Sequence, residues 1–139
     1  MSNALLPEFQ LKHGSHGWRA ELPNAPRFFG RVISLVIDTR MTPTEPRVLP
    51  EISKSHASLV HTVLPALARL LPRVEEEMKS YHQDHEPAFQ DFLDRPHIWL
   101  DYECDGKTWS FVVGRTDNPD FGYHADFRGL EFIELWAAD

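Results

Sequence analysis

Between Glu51 and Tyr81 the apolar residues recur at intervals of three and four: Ile52, Leu59, Val60, Val63, Leu67, Leu70, Leu71, Val74, Met78 and Tyr81. On a helix of 3.6 residues per turn they form one continuous stripe. Lys54, Ser58, Thr62, Arg69, Arg73, Glu76 and Lys79 fall on the opposite face, which suits water. A stripe of that length has to be covered, and the segments on both sides, rich in Val, Ile, Phe and Trp, supply a sheet to cover it. Pro65 and Pro72 interrupt the stretch. An internal proline removes a backbone hydrogen bond and clashes with the preceding turn, at about 3 kcal/mol. The stretch is therefore either one kinked helix or two helices. Pro72 is followed by Glu75, Glu76 and Glu77, acids that favour a helix N-terminus, which puts the expected kink or break near Leu71.

The flanking pattern reads as strands. Phe9–Lys12 and Trp18–Leu22 alternate about a Gly-rich turn, which predicts a hairpin with Trp18, Ala20 and Leu22 inward. Phe28 to Thr39 is the strongest strand, with Ile33, Leu35 and Ile37 on one face and partly apolar residues on the other, as in a central strand. Met41 to Pro50, with three prolines, is a connecting loop. After the long helix, Glu86 to Leu93 predicts a short helix burying Phe89, Phe92 and Leu93. His97 to Cys104 then alternates Ile98, Leu100, Tyr102 and Cys104 against Trp99, Asp101 and Glu103. Asp105-Gly106 is a hairpin dipeptide, and Thr108–Arg115 is the return strand. Thr116 to Gly122 reads as a loop, Tyr123–Phe127 as a short strand and Leu130–Ala137 as the last one. The expected fold is α+β: one domain over residues 1–139, an antiparallel sheet of five or six strands, with a long kinked helix and a short helix on one face.

Composition narrows the function classes. A formal charge of −7, with basic residues scattered singly, disfavours nucleic acid and anionic membranes, whose recognition depends on clustered Lys and Arg, and favours a basic partner. No apolar run approaches the roughly 20 residues of a membrane span, and Ala4-Leu5-Leu6 before Pro7 is too short for a signal-peptide core. The single cysteine, Cys104, fits a reducing compartment, so the expectation is a cytoplasmic protein. Its place in the strand alternation makes Cys104 a core residue rather than a nucleophile.

Eight histidines raise the question of metal. His82 and His85 form the best pair, but zinc sites need three or four converging ligands, and no spacing nominates the others. Both are better placed as histidines at the negative end of a helix, so no metal and no cofactor are expected. Asp120-Phe121-Gly122 spells a kinase motif without the rest of a kinase. Asp101 and Glu103 lie about 7 Å apart on one strand face, the separation of an acid–base pair, which keeps a small hydrolase or metal-dependent enzyme as the alternative function. The leading expectation comes from the same face. Trp99, Asp101 and Glu103, with Ser34, Thr108 and Ser110, combine indole, carboxylate and hydroxyl groups on the side of the sheet that the helices leave open. An exposed Trp among acids suits protein binding; ordinary solvated sheet and a dimer face are the other readings.

The order strand–helix–strand, the acidity and the closing run Gly129-Leu130-Glu131-Phe132-Ile133-Glu134-Leu135-Trp136 resemble uncharacterised bacterial α+β domain families and the small acidic immunity proteins that bind and block toxins. That resemblance implies a non-enzymatic module acting on a protein partner; no functional residues carry over with it.

Overall fold

A computed structural model describes residues 5–14, 17–39, 52–82, 88–101 and 104–138. Seven strands form a single sheet in sequence order: β1 (Lys12–Gly14), β2 (Gly17–Leu22), β3 (Ile33–Asp38), β4 (Leu93–Leu100), β5 (Thr108–Arg115), β6 (Asn118–Arg128) and β7 (Glu131–Ala138). Every neighbouring pair is antiparallel except β3 and β4, which are parallel. The expected antiparallel sheet of five or six strands with two helices is thus corrected to a mixed, seven-stranded, sheet-dominated fold with one helix of 29 residues. The reason lies in the connection. A helix between two adjacent strands carries the chain back to the end where it started, so the next strand must run in the same direction.

The helix comprises α1 (Lys54–Val63), a 3₁₀ turn (Leu64–Ala66) and α2 (Leu67–His82). The irregularity falls at Pro65, not near Leu71, and Pro72 lies inside α2. Pro72 and Ala68, whose carbonyl it leaves without an amide, are both exposed, so the missing bond falls on the solvent side of the helix. Ser53 caps the helix, its hydroxyl accepting the His56 amide at 3.1 Å. The stripe then buries Leu59, Val60, Val63, Leu67, Leu70, Leu71, Val74 and Met78. Tyr81 is the exception, 51% exposed at the end of the stripe.

The sheet answers with matched residues. Trp18, Ala20 and Leu22 stand beside Ile37, Leu35 and Ile33, and Leu35 and Ile37 beside Ile98 and Leu100. All are buried, as their alternation predicts. Phe111, Ala125 and Leu135 carry the same face across β5, β6 and β7. The helix crosses that face from β4, where His56 bonds the Asp101 carbonyl at 2.7 Å, to β7, where the Arg73 guanidinium lies 4.7 Å from the Phe132 ring centre.

Three local expectations need correction. The short helix expected over Glu86–Leu93 is a 3₁₀ turn, Phe89–Phe92, among the described residues, and Leu93 already opens β4; residues 83–87 lie outside them. β4 ends at Leu100, so Asp101 and Cys104 are not in the strand, and Tyr102 and Glu103 lie outside the described residues. Cys104 is half-buried against the core, and burial raises its thiol pKa. The expected loop Thr116–Gly122 is mostly strand, because β6 begins at Asn118 after a tight turn.

Gly17 opens β2 with φ 125°, and a Cβ there would stand 2.2 Å from the Ile37 carbonyl oxygen. Gly14, beside it, has nothing within 4 Å. Gly17→Ala is therefore expected to lower stability by about 2 kcal/mol or more and Gly14→Ala by much less, measured by chemical denaturation. Leu67→Ala, at a fully buried position, is expected to cost about 2–5 kcal/mol. Lys79→Ala, which loses an exposed pairing with Glu76 at 3.4 Å, is expected to cost well under about 1 kcal/mol.

Candidate functional site

Because strand side chains alternate, the residues between the buried ones face away from the helix. Cross-strand register joins them into a row spanning all seven strands: Lys12, Arg19, Val36, Trp99, Ser110, Asp126 and Glu134. A second row, two residues along, holds Glu21, Ser34, His97, Val112, His124 and Trp136. In the first row Lys12, Arg19 and Glu134 are exposed, and Val36, Trp99, Ser110 and Asp126 are half-buried.

The row has two chemical halves. At the β1–β4 end lies an open concavity of about 410 Å³, lined by Lys12, His13, Arg19, Val36, Asp38, His97 and Trp99 among others. Lys12 and Arg19 are direct cross-strand partners, an arrangement of like charges that costs stability unless an anion answers it. His13 tilts against the Trp18 ring at 4.9 Å. Asp38 is buried. At the β5–β7 end, Asp126 accepts the Ser110 hydroxyl at 2.8 Å and the Trp136 indole N–H at 2.7 Å. The His124 ring stacks on Trp136 at 4.1 Å. Asp126 is therefore fixed in place with its charge on the face.

His97 lies between the halves. Its Nδ1 donates to the Arg95 carbonyl at 2.8 Å, so the neutral ring carries its proton there and not on Nε2. Burial first, then the positive charges of Arg19, Arg95 and His124, lower its pKa from 6.5 to about 4 against the opposing pull of that carbonyl. At neutral pH it is an uncharged imidazole.

The structure distributes the sequence-predicted residues unevenly. Trp99, Ser34 and Ser110 fall on the open face by register, Ser34 beside His97 and Trp99 between Val36 and Ser110, but Ser34 is buried and offers a partner little surface. Thr108 is exposed at the start of β5, where its amide and hydroxyl both bond Asp105 Oδ1, at 2.8 and 3.1 Å. Asp101 is exposed just past the end of β4. Glu103 and His85 lie outside the described residues. His82 faces the Tyr123 hydroxyl at 2.7 Å and stacks on Phe89 at 4.3 Å, the surroundings of a packed ring. Among the described residues no three His, Cys, Asp or Glu side chains converge as metal ligands would.

The sequence reading missed four groups. Lys12 and Arg19 escaped because they belong to different strands, and only register makes them neighbours. His56 escaped because it looks like one more helical histidine. In the structure its Nδ1 faces the Ser53 amide at 3.1 Å and its Nε2 the Asp101 carbonyl, locking the helix start to the end of the Trp99 strand. Arg115 did leave a signal, since alternation with Trp109, Phe111 and Val113 turns it inward. It is buried, bonding Asp117 through two 2.8 Å contacts and the Tyr123 hydroxyl through a third at 2.8 Å.

The His97 pKa has a measurable consequence. An unfolded chain takes up the His97 proton near pH 6.5 and the folded protein only near 4. The stability tied to the neutral ring is whole above the higher value and lost progressively as pH falls towards the lower one. Burial also lowers the pKa of His56 and His124, so the wild-type loss is shared. Between neutral pH and pH 4 the protein is expected to lose more stability than a His97→Gln variant, by on the order of 2 kcal/mol. Denaturation series across that range check the difference, and ring-proton NMR should show His97 titrating near 4. Comparisons with protein-family models, curated proteins and solved structures found no match.

Proposed function

We propose that this protein is a non-enzymatic interaction module, immunity- or regulator-like, that binds a protein partner through the open face of its sheet. The observation that supports this most is Trp99: an indole half-buried on the middle strand, at the wall of an open concavity, with charged groups on either side. Large aromatic side chains at the centre of a face, ringed by polar groups, are the usual anchors of protein interfaces. Asp101, Asp126 and Glu134, together with the net charge of −7, favour a partner that presents basic groups, and their field speeds encounter more than it tightens the complex. No helix among the described residues is long and apolar enough to cross a membrane. On the single cysteine we place the protein in the cytoplasm.

Trp99→Ala removes an indole that contributes little to the helix-side core, so the variant is expected to keep its circular dichroism spectrum and most of its melting temperature. It is expected to lose capture of the partner from cell extract. Asp101→Asn is expected to weaken capture at low salt and to have little effect at high salt, where the charges are already screened. Unfolding of Trp99→Ala would identify Trp99 as a core residue and end this reading, as would a folded variant that still captures every partner.

A further inference from the structure

The row through Trp99 has an order that one-sided binding does not require. Its two cations, Lys12 and Arg19, lie on β1 and β2, and its two acids, Asp126 and Glu134, on β6 and β7, with Trp99 on β4, the middle strand of seven. We infer that this face pairs with the same face of a second copy of the chain, about a two-fold axis that runs along β4 and passes over Trp99. The inference rests on the open sheet face being the binding surface, and it names one partner for it: the chain carries −7 as a whole, but on this face Lys12 and Arg19 supply the basic groups that the acids of the second copy meet.

A two-fold axis parallel to the middle strand exchanges the two ends of the sheet. It sets Lys12 opposite Glu134 of the second copy, Arg19 opposite Asp126, Val36 opposite Ser110, and Trp99 opposite itself. Each charged contact of this row is made twice, and all four join opposite signs; Asp101, past the end of β4, meets its own copy only at the exposed margin of the face. In the second row the same operation sets Glu21 opposite His124, a carboxylate and an imidazole. It sets His97 opposite its own copy, where its neutral state avoids repulsion. Lys12, Arg19 and Glu134 make no ion pair among the described residues, so all three are available to the second copy. The cross-strand repulsion of Lys12 and Arg19 is then answered by acids in the concavity between them and Trp99.

The dimensions suit such a dimer. Seven strands about 4.8 Å apart span roughly 29 Å, and six-residue strands run about 20 Å. That gives about 600 Å² of projected face, which side-chain relief raises towards the ~800 Å² per partner of a standard interface. Stacked sheets keep their strand directions within about 30° of each other, and an axis along β4 sets the two β4 strands parallel.

Sedimentation velocity on the full chain tests this at low salt and about 100 µM, well above the Kd expected of a standard-size interface. The wild type is expected to sediment as a dimer. Lys12→Glu and Glu134→Lys are each expected to weaken the dimer at least about tenfold, because each places like charges in contact twice. An equimolar mixture of the two variants is expected to restore dimers, since every reversed charge then meets its opposite, and the double variant in one chain is expected to do the same. Circular dichroism melts establish that both single variants fold. A wild type that is monomeric at that concentration would overturn the inference, as would a dimer indifferent to both substitutions or variants that stay monomeric when mixed. A monomeric wild type whose Trp99→Ala variant still loses a different protein partner would refute the dimer alone and leave the binding face standing. Loss of neither dimer nor partner in folded Trp99→Ala would refute both.

Discussion

Burial of the helix stripe against β3 and β4 is the contact on which the rest of the structure depends. At 1.5 Å per residue a helix of 29 residues is about 43 Å long, roughly twice the ~20 Å of a six-residue strand. Its contacts run from the end of β4 to Phe132 of β7, so it crosses strands rather than lying along one pair. Its start is held at β4 by the bond from His56 to the Asp101 carbonyl, and its end reaches β6, where His82 meets Tyr123. One element thereby covers several strands on one side. Leu6, from the segment ahead of β1, is fully buried in the same core, and Glu8 in that segment meets His61 of α1 at 2.6 Å.

The parallel pair β3–β4 follows from that crossing and has consequences for function. It places β4 at the middle of the sheet with three strands on each side, so Trp99 becomes central. Had β4 paired antiparallel at an edge, the same indole would stand at a rim, where contacts contribute little to binding. The polar groups of the open face gain their meaning in the same way. Asp126 is held by Ser110 and Trp136 from the two neighbouring strands, and Lys12 meets Arg19 only through the β1–β2 register.

Charge and packing divide the labour between the two faces. On the helix side, Arg115 is paired with Asp117 and Tyr123, and His82 bonds Tyr123 and stacks on Phe89. On the open side the charges of Lys12, Arg19 and Glu134 are left facing outward at the two ends of one row. Burying such side chains against a partner is favourable only where opposite signs meet, so their ordering restricts what can dock there more than the indole does.

Much of the architecture was legible in the residues themselves. The three-and-four spacing of Leu59 to Met78, the alternation of Ile33, Leu35 and Ile37, and the run Thr108–Arg115 are local periodicities, and local periodicity is what backbone geometry reads directly. The sequence also placed Trp99 on the side of its strand away from Ile98 and Leu100. The parallel pairing, the absence of a break at Pro72 and the extent of β6 were decided elsewhere. Pro72 is tolerated because it falls on the watered side of a helix already held by its stripe, so the cost that would split an isolated helix is outweighed by burial. The row from Lys12 to Glu134 is the clearest case: its seven members span more than 120 positions of chain, and no spacing links them. Hydrogen-bond register alone makes them neighbours, and register exists only once the helix has fixed which strands stand side by side.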